Sequence, residues 1–213
     1  MSTGRGMLIT LDGPGGVGKS TAIAAIQRAF VAGGRTVHTA TQPSATPFGQ
    51  AVRTVAQSMR GRALALAVAA DRLHQQETEI RPVLAAGRTV LLDRYLPSTL
   101  VLQRADGVPV QELLAMNTGV DVPDLSVILF AQADTILRRL AHRGTHHRFE
   151  TDPASPQREI DLYQEAIPHL EALGYRILAF DATDLTPKEV ADAIVSAVPS
   201  LPATVVDPTT PTR

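Results

Sequence analysis

Gly13-Pro14-Gly15-Gly16-Val17-Gly18-Lys19-Ser20 has the residue types and spacing to hold phosphate. The run fits G-x-x-x-x-G-K-[ST], and each position has a physical task. The glycines let the backbone turn until its N–H groups point at phosphate oxygens. A helix opening at Ser20-Thr21 adds the positive end of its dipole. Lys19 can reach β- and γ-phosphates, and the Ser20 hydroxyl can ligate Mg²⁺. The chemistry is that of a nucleoside triphosphate site.

Asp93-Arg94-Tyr95 follows a short apolar run, residues 89–92, of the kind expected in a strand buried on both faces. In a parallel α/β sheet, ligands gather beyond the carboxyl ends of the strands. If this strand lies parallel to the one before the glycine loop, Asp93 and Arg94 emerge at the same edge as Lys19. A carboxylate there can hold Mg²⁺, its waters or an acceptor oxygen. An arginine there can grip transferring phosphate oxygens in bidentate fashion.

The elements that must position these groups can be read from the pattern. Strands are expected over 7–11, 36–41, 89–92, 125–130 and 175–180. Helical spacing covers 21–32, 48–60, 97–104, 110–118 and 134–143. One long helix is expected over 63–86, kinked at Pro82. Ser155-Pro156 opens another helix, and Thr186-Pro187-Lys188-Glu189 has the form of a capping box opening the last. Strands alternating with helices imply a mostly parallel sheet covered on both faces. Residues 1–198 read as one domain, and the Pro/Thr-rich stretch 199–213 as a disordered tail.

Bulk composition narrows the function classes. The 213 residues carry a net charge of −1, which gives no global attraction to nucleic acid. The absence of cysteine excludes disulfides and cysteine-ligated zinc. The start of the chain shows no long apolar segment, and the weakly polar run 63–70 is too short to span a bilayer. The expectation is a cytoplasmic protein acting on small molecules, with neither nucleic acid nor membrane as partner.

The chain resembles the thymidylate kinase family. The likeness rests on the glycine loop, then Asp93-Arg94-Tyr95 with Ser98, then Pro123-Asp124-Leu125, then Arg139, Arg143-Gly144 and Arg148-Phe149-Glu150. Pro43, Thr46-Pro47, Gly49 and Arg53 resemble a second family segment. Ala70-Asp71-Arg72 and Gln103 resemble two more. The resemblance implies a three-layer P-loop fold with a five-stranded sheet and a short lid, about 142–152. It also implies ATP- and Mg²⁺-dependent phosphoryl transfer to a nucleoside monophosphate by a homodimeric enzyme. Family roles carry over residue by residue. ATP would be held by Gly13, Pro14, Gly15, Gly16, Val17, Gly18, Lys19, Ser20 and Thr21, with Arg139 and Arg143. The acceptor would meet Pro43, Arg53, Val68, Arg72, Arg94, Ser98, Leu102 and Gln103. Arg148 would act from the lid beside Lys19, Asp93 and Arg94, and Ser20 and Asp93 would hold the metal.

The sequence departs from the family pattern on the acceptor side. The family's R-E-P-G-G is Thr41-Gln42-Pro43-Ser44-Ala45 here. An acidic residue common in the family's loop is Gly15. A base-stacking phenylalanine aligns with Val68, a tyrosine beside the sugar with Leu102, and a lid aspartate with His147. Three outcomes therefore stay open at this level. The acceptor is dTMP, or it is a modified or non-thymidine pyrimidine monophosphate, or the chain binds ATP without transferring phosphate.

Overall fold

The computed structural model describes residues 4–144 and 152–198. Arg148, most of the expected lid and the expected tail 199–213 lie outside the described residues. Strand β1 (Leu8–Asp12) runs into the glycine loop and helix α1 (Lys19–Ala32). Strand β2 (Val37–Thr41) precedes α2 (Pro47–Val55) and α3 (Gly61–Gln75). A π-helical segment, Gln76–Ile80, leads into α4 (Arg81–Ala85). Strand β3 (Thr89–Asp93) is followed by α5 (Leu96–Ala105) and α6 (Val110–Met116). Strand β4 (Leu125–Phe130), α7 (Ala133–Arg143), α8 (Ser155–Ala172), β5 (Ile177–Asp181) and α9 (Pro187–Ala197) complete the described order.

Among the described residues the sheet has five strands, in the order β2-β3-β1-β4-β5. Every pairing is parallel, so the expected mostly parallel sheet is wholly so. Leu11 of β1 lies opposite Asp93 of β3. This register brings the carboxyl ends of both strands to one edge, which is what the Asp93-Arg94 expectation required.

Alternation along the strands divides the apolar side chains between two layers. Ile9, Leu11, Leu91, Val127 and Leu129 pack with Ile26 and Phe30 of α1, Ile136 and Leu140 of α7, and Ile194 of α9. Leu8, Val90, Leu92 and Ile128 pack with Leu96 and Leu100 of α5, Leu113 of α6, and Tyr163 and Leu170 of α8. Each large apolar side chain buried in this way contributes roughly 1.5–3 kcal/mol. The three-layer α/β arrangement follows.

Local signals set the helix starts. Thr46 caps α2 by accepting from Gly49 N at 3.1 Å, with Pro47 in the first turn. Thr186 and Glu189 form the expected reciprocal capping box of α9. The expected single helix over 63–86 is interrupted before Pro82, by the π-helical turn at Gln76–Ile80. Pro82 has no N–H and its ring crowds the carbonyl four residues earlier, and widening the preceding turn relieves both problems. Helix α2 ends at Val55, short of the expected 60, and turns follow it.

Candidate active site

The loop between β1 and α1 has φ values of 141° at Gly13, 80° at Gly16 and 111° at Gly18, all in the region that favours glycine. A Cβ on Gly13 would also stand 2.3 Å from the Leu129 carbonyl oxygen. The loop therefore nests on the end of β4 only with glycine there. Lys19 is buried, and its Nζ donates to Gly13 O at 2.8 Å and Pro14 O at 2.9 Å. Burial pushes its pKa down to about 7, and Arg94 adds to the effect, against opposition from Asp93, Glu159 and Asp12. Phosphate oxygens placed there would restore its charge.

Asp93 and Arg94 stand beside the loop, at the end of β3. Ser20 Oγ donates to Asp93 Oδ2 at 3.1 Å. Asp93 Oδ1 is buried and has no hydrogen-bond partner among the described residues. A hydroxyl joined to a carboxylate with one oxygen uncommitted suits a hard divalent cation such as Mg²⁺. Arg94 has φ 70°, an uncommon conformation for a residue with a Cβ, and its Nη1 donates to Ser98 Oγ at 3.3 Å. Burial opposes the Arg94 charge, but Tyr163, Asp93, Glu159 and Asp12 together raise its pKa above the ordinary value.

Asp12 and Tyr163 tie this edge together, and sequence reasoning missed both. Asp12 is fully buried. Its Oδ1 accepts from Tyr95 N at 2.9 Å, Ser98 N at 3.0 Å and Ser98 Oγ at 2.6 Å, so it caps α5. Desolvation raises its pKa, while the bonds from Ser98 and Tyr95 pull it back. Its Oδ2 has no partner among the described residues. Tyr163 of α8 places its hydroxyl 2.9 Å from Ser98 Oγ and donates to Gly13 O at 3.1 Å. One signal for Asp12 was available, because it is a charged residue closing an otherwise apolar strand directly before the glycine loop. Nothing in the local sequence marks Tyr163.

The residues expected at the acceptor are held by a separate network. Asp71 of α3 accepts from Ser44 N at 2.6 Å and Ser44 Oγ at 2.7 Å, which fixes the loop after β2. Gly49 packs so closely on this loop that a Cβ would lie 2.3 Å from Ser44 O. Arg53 is exposed and donates to Pro43 O. Arg72 is only 2% exposed. Its guanidinium donates to Gln42 Oε1 at 2.8 Å, to Asn117 Oδ1, to Tyr95 O at 3.2 Å and to Thr99 Oγ1 at 2.8 Å. It also lies over the Tyr95 ring, 5.4 Å from the centroid. Arg72 is thus a buried residue that knits α3 to α5 and α6. Val68 and Leu102 are half-buried, and Ser98 and Gln103 are buried, on α3 and α5.

Gly16, Val17, Gly18, Lys19, Ser20, Thr21, Asp93, Arg94 and Arg139 line one cavity of about 660 Å³. Arg139 of α7 spans it, donating to Val17 O at 2.9 Å and Thr183 O at 3.2 Å. Its far wall is Leu185, Pro187 and Val190, from the start of α9, which sequence reasoning did not assign to the site. Pro43, Arg53, Val68, Arg72, Ser98, Leu102 and Gln103 do not line this cavity. The groups expected to handle phosphate converge, while the residues expected at the acceptor stand on or beside α2, α3 and α5. Arg143 ends α7.

Comparison with known proteins agrees with this geometry. The thymidylate kinase family model matches residues 11–194. The chain is 35% identical over 187 residues to a thymidylate kinase of Leifsonia xyli, covering 84% of this chain and 88% of that protein. It is 32% identical over 204 residues to a thymidylate kinase of Deinococcus radiodurans, covering 92% and 97%. In fold it is similar to the thymidylate kinase of Candida albicans, with a TM-score of 0.75 over 91% of each chain at 19% identity. Among the described residues, no helix is long and apolar enough to cross a membrane. With a matching family model over most of its length, and relatives of this identity and coverage, the chain belongs to the thymidylate kinase family, a family of phosphotransferases.

Proposed function

We propose that this chain transfers the γ-phosphoryl group of ATP to the phosphate of dTMP, giving dTDP and ADP. The observation that carries this reading is the meeting of Lys19, Ser20, Asp93 and Arg94 at one sheet edge, around a cavity large enough for a nucleotide. An oxygen of the acceptor phosphate attacks the γ-phosphorus as the bond to the β–γ bridging oxygen breaks. Charge spreads over the equatorial oxygens, so positioned cations do most of the catalytic work. Lys19 would serve the β- and γ-phosphates. Arg94, fixed by its backbone and by Ser98, would hold the acceptor phosphate in line. Ser20 and Asp93 would hold Mg²⁺, which supplies charge neutralisation between the phosphates.

Arg139 would flank the donor nucleotide, with Arg143 and Arg148 completing a lid that excludes water. Arg53, Pro43, Val68, Leu102 and Gln103 would border the acceptor, and Arg72 would support that pocket from the core. We read 1–198 as one cytoplasmic kinase domain that forms a homodimer. The test is Mg²⁺-dependent ADP release from ATP with dTMP, dUMP, UMP, CMP and dCMP supplied separately. Turnover strongest with dTMP is expected. Turnover confined to another nucleotide, or absent with all of them, would overturn the reading.

A further inference from the structure

Glu159 is a carboxylate buried at the phosphate loop that the mechanism above does not use. It is 5% exposed, and its Oε2 accepts from Gly15 N at 3.0 Å. Tyr163, one turn later on the same face of α8, reaches Gly13 O at 3.1 Å. Helix α8 thus sets two polar groups on the first half of the loop. The Glu159 charge is felt at Lys19, Arg94 and Tyr163. A negative charge among cations that must bind polyanions weakens phosphate binding. If it only satisfied the Gly15 N–H, a neutral acceptor would do so without that cost.

Its placement separates it from the donor cavity. Neither Gly15 nor Glu159 lines the 660 Å³ cavity around Lys19, Ser20 and Arg139. Glu159 instead lines a separate cavity of about 200 Å³ between α5 and α8, with Leu102, Asp106 and Arg158. Leu102, on α5, is one of the residues expected at the acceptor. A carboxylate only accepts hydrogen bonds, so it repels phosphate and favours a substrate hydroxyl. The phosphate gripped by Arg94 is joined by one ester link to its sugar. In dTMP that sugar carries one free hydroxyl, at the 3′ position.

We propose that Glu159 recognises the 3′-hydroxyl of the acceptor nucleotide and so acts as a specificity-determining residue, presented from α8 across Gly15. This rests on the reading that the Arg94 side of the loop takes the acceptor. The experiment compares kcat/KM for dTMP and for 3′-deoxythymidine 5′-monophosphate in the wild type, Glu159→Gln and Glu159→Ala, with the KM for ATP measured alongside. A hydrogen bond to a charged group predicts a wild-type preference for dTMP of roughly 10- to 100-fold. Glu159→Ala should bring the two substrates within about twofold while leaving the ATP KM near wild type, and Glu159→Gln should keep part of the preference.

An unchanged preference in Glu159→Ala would overturn the proposal. So would an equal loss on both substrates accompanied by a raised ATP KM, which would make Glu159 a prop for the loop. If Glu159→Ala does not fold, Glu159→Gln decides, and a full wild-type preference there refutes the role. Wild-type protein that ignores dTMP would refute the proposed function instead. The same comparison would then be run on the nucleotide it does accept, with and without its 3′-hydroxyl.

Discussion

Tyr163→Phe removes one hydroxyl from the buried edge, and the structure specifies what that hydroxyl does. Ser98 spends its single proton on Asp12 Oδ1, at 2.6 Å. The Tyr163 proton is therefore shared between Ser98 Oγ at 2.9 Å and Gly13 O at 3.1 Å. Gly13 O also accepts from Lys19 Nζ at 2.8 Å, so in the free chain it keeps a partner when Tyr163 is cut. The cost to stability should then be that of one ordinary hydrogen bond, about 1 kcal/mol, or a melting shift of about 2–4 °C. Binding of ATP changes the balance. Lys19 must turn toward phosphate, and Gly13 O is left to Tyr163. In the variant a buried carbonyl then loses its last donor, which costs about 1–3 kcal/mol, or roughly 5- to 150-fold in ATP affinity. Melting curves and calorimetric titration of the wild type and variant with ATP check this. A variant that melts several degrees lower yet binds ATP as tightly as the wild type would refute the reasoning, because Gly13 O would not then depend on Tyr163.

Three further outcomes follow from the geometry. Arg94→Ala should lower kcat by about 100-fold or more while leaving ATP affinity near wild type, as expected for a group gripping the transferring charge; single-turnover kinetics with a parallel ATP titration measure both. Asp93→Asn removes the charge that would share a cation with Ser20, so the Mg²⁺ concentration for half-maximal turnover should rise about tenfold, and an unshifted Mg²⁺ curve would place the metal elsewhere. Arg72→Lys cannot satisfy Gln42, Asn117, Tyr95 O and Thr99 together, and should cost about 3 kcal/mol or more, read as a lower denaturation midpoint at unchanged slope.

What the sequence made legible was whatever is local along the chain. The glycine loop is contiguous, so its flanking strand and its helix could both be read from residues 7–32. Asp93-Arg94 needed one further assumption, a parallel strand beside β1, and alternation of strands with helices supplied it. The groups that were missed are non-local. Glu159 meets Gly15 across 144 positions, Asp12 meets Ser98 across 86, and Tyr163 meets Gly13 across 150. Glu159 and Tyr163 have helical spacing, but so does any pair one turn apart. Only docking of α8 on the loop gives that spacing a meaning. Arg72 shows what a short motif leaves out, since it names a residue type and says nothing of what surrounds it. The side chain expected to face a substrate is enclosed by Gln42, Asn117, Thr99 and Tyr95, three of them polar side chains whose own positions carry no local signal. The π-turn was hidden for a related reason. It changes the helical period over five residues, fewer than a periodic pattern needs to declare itself. The donor-side expectation rests on a compact loop and could therefore be framed from local sequence. The residues expected or proposed at the acceptor come from α2, α3, α5 and α8, so substitutions such as those at Gly15, Val68 and Leu102 acquire a meaning only beside the partners, Glu159 among them, that the fold brings to them.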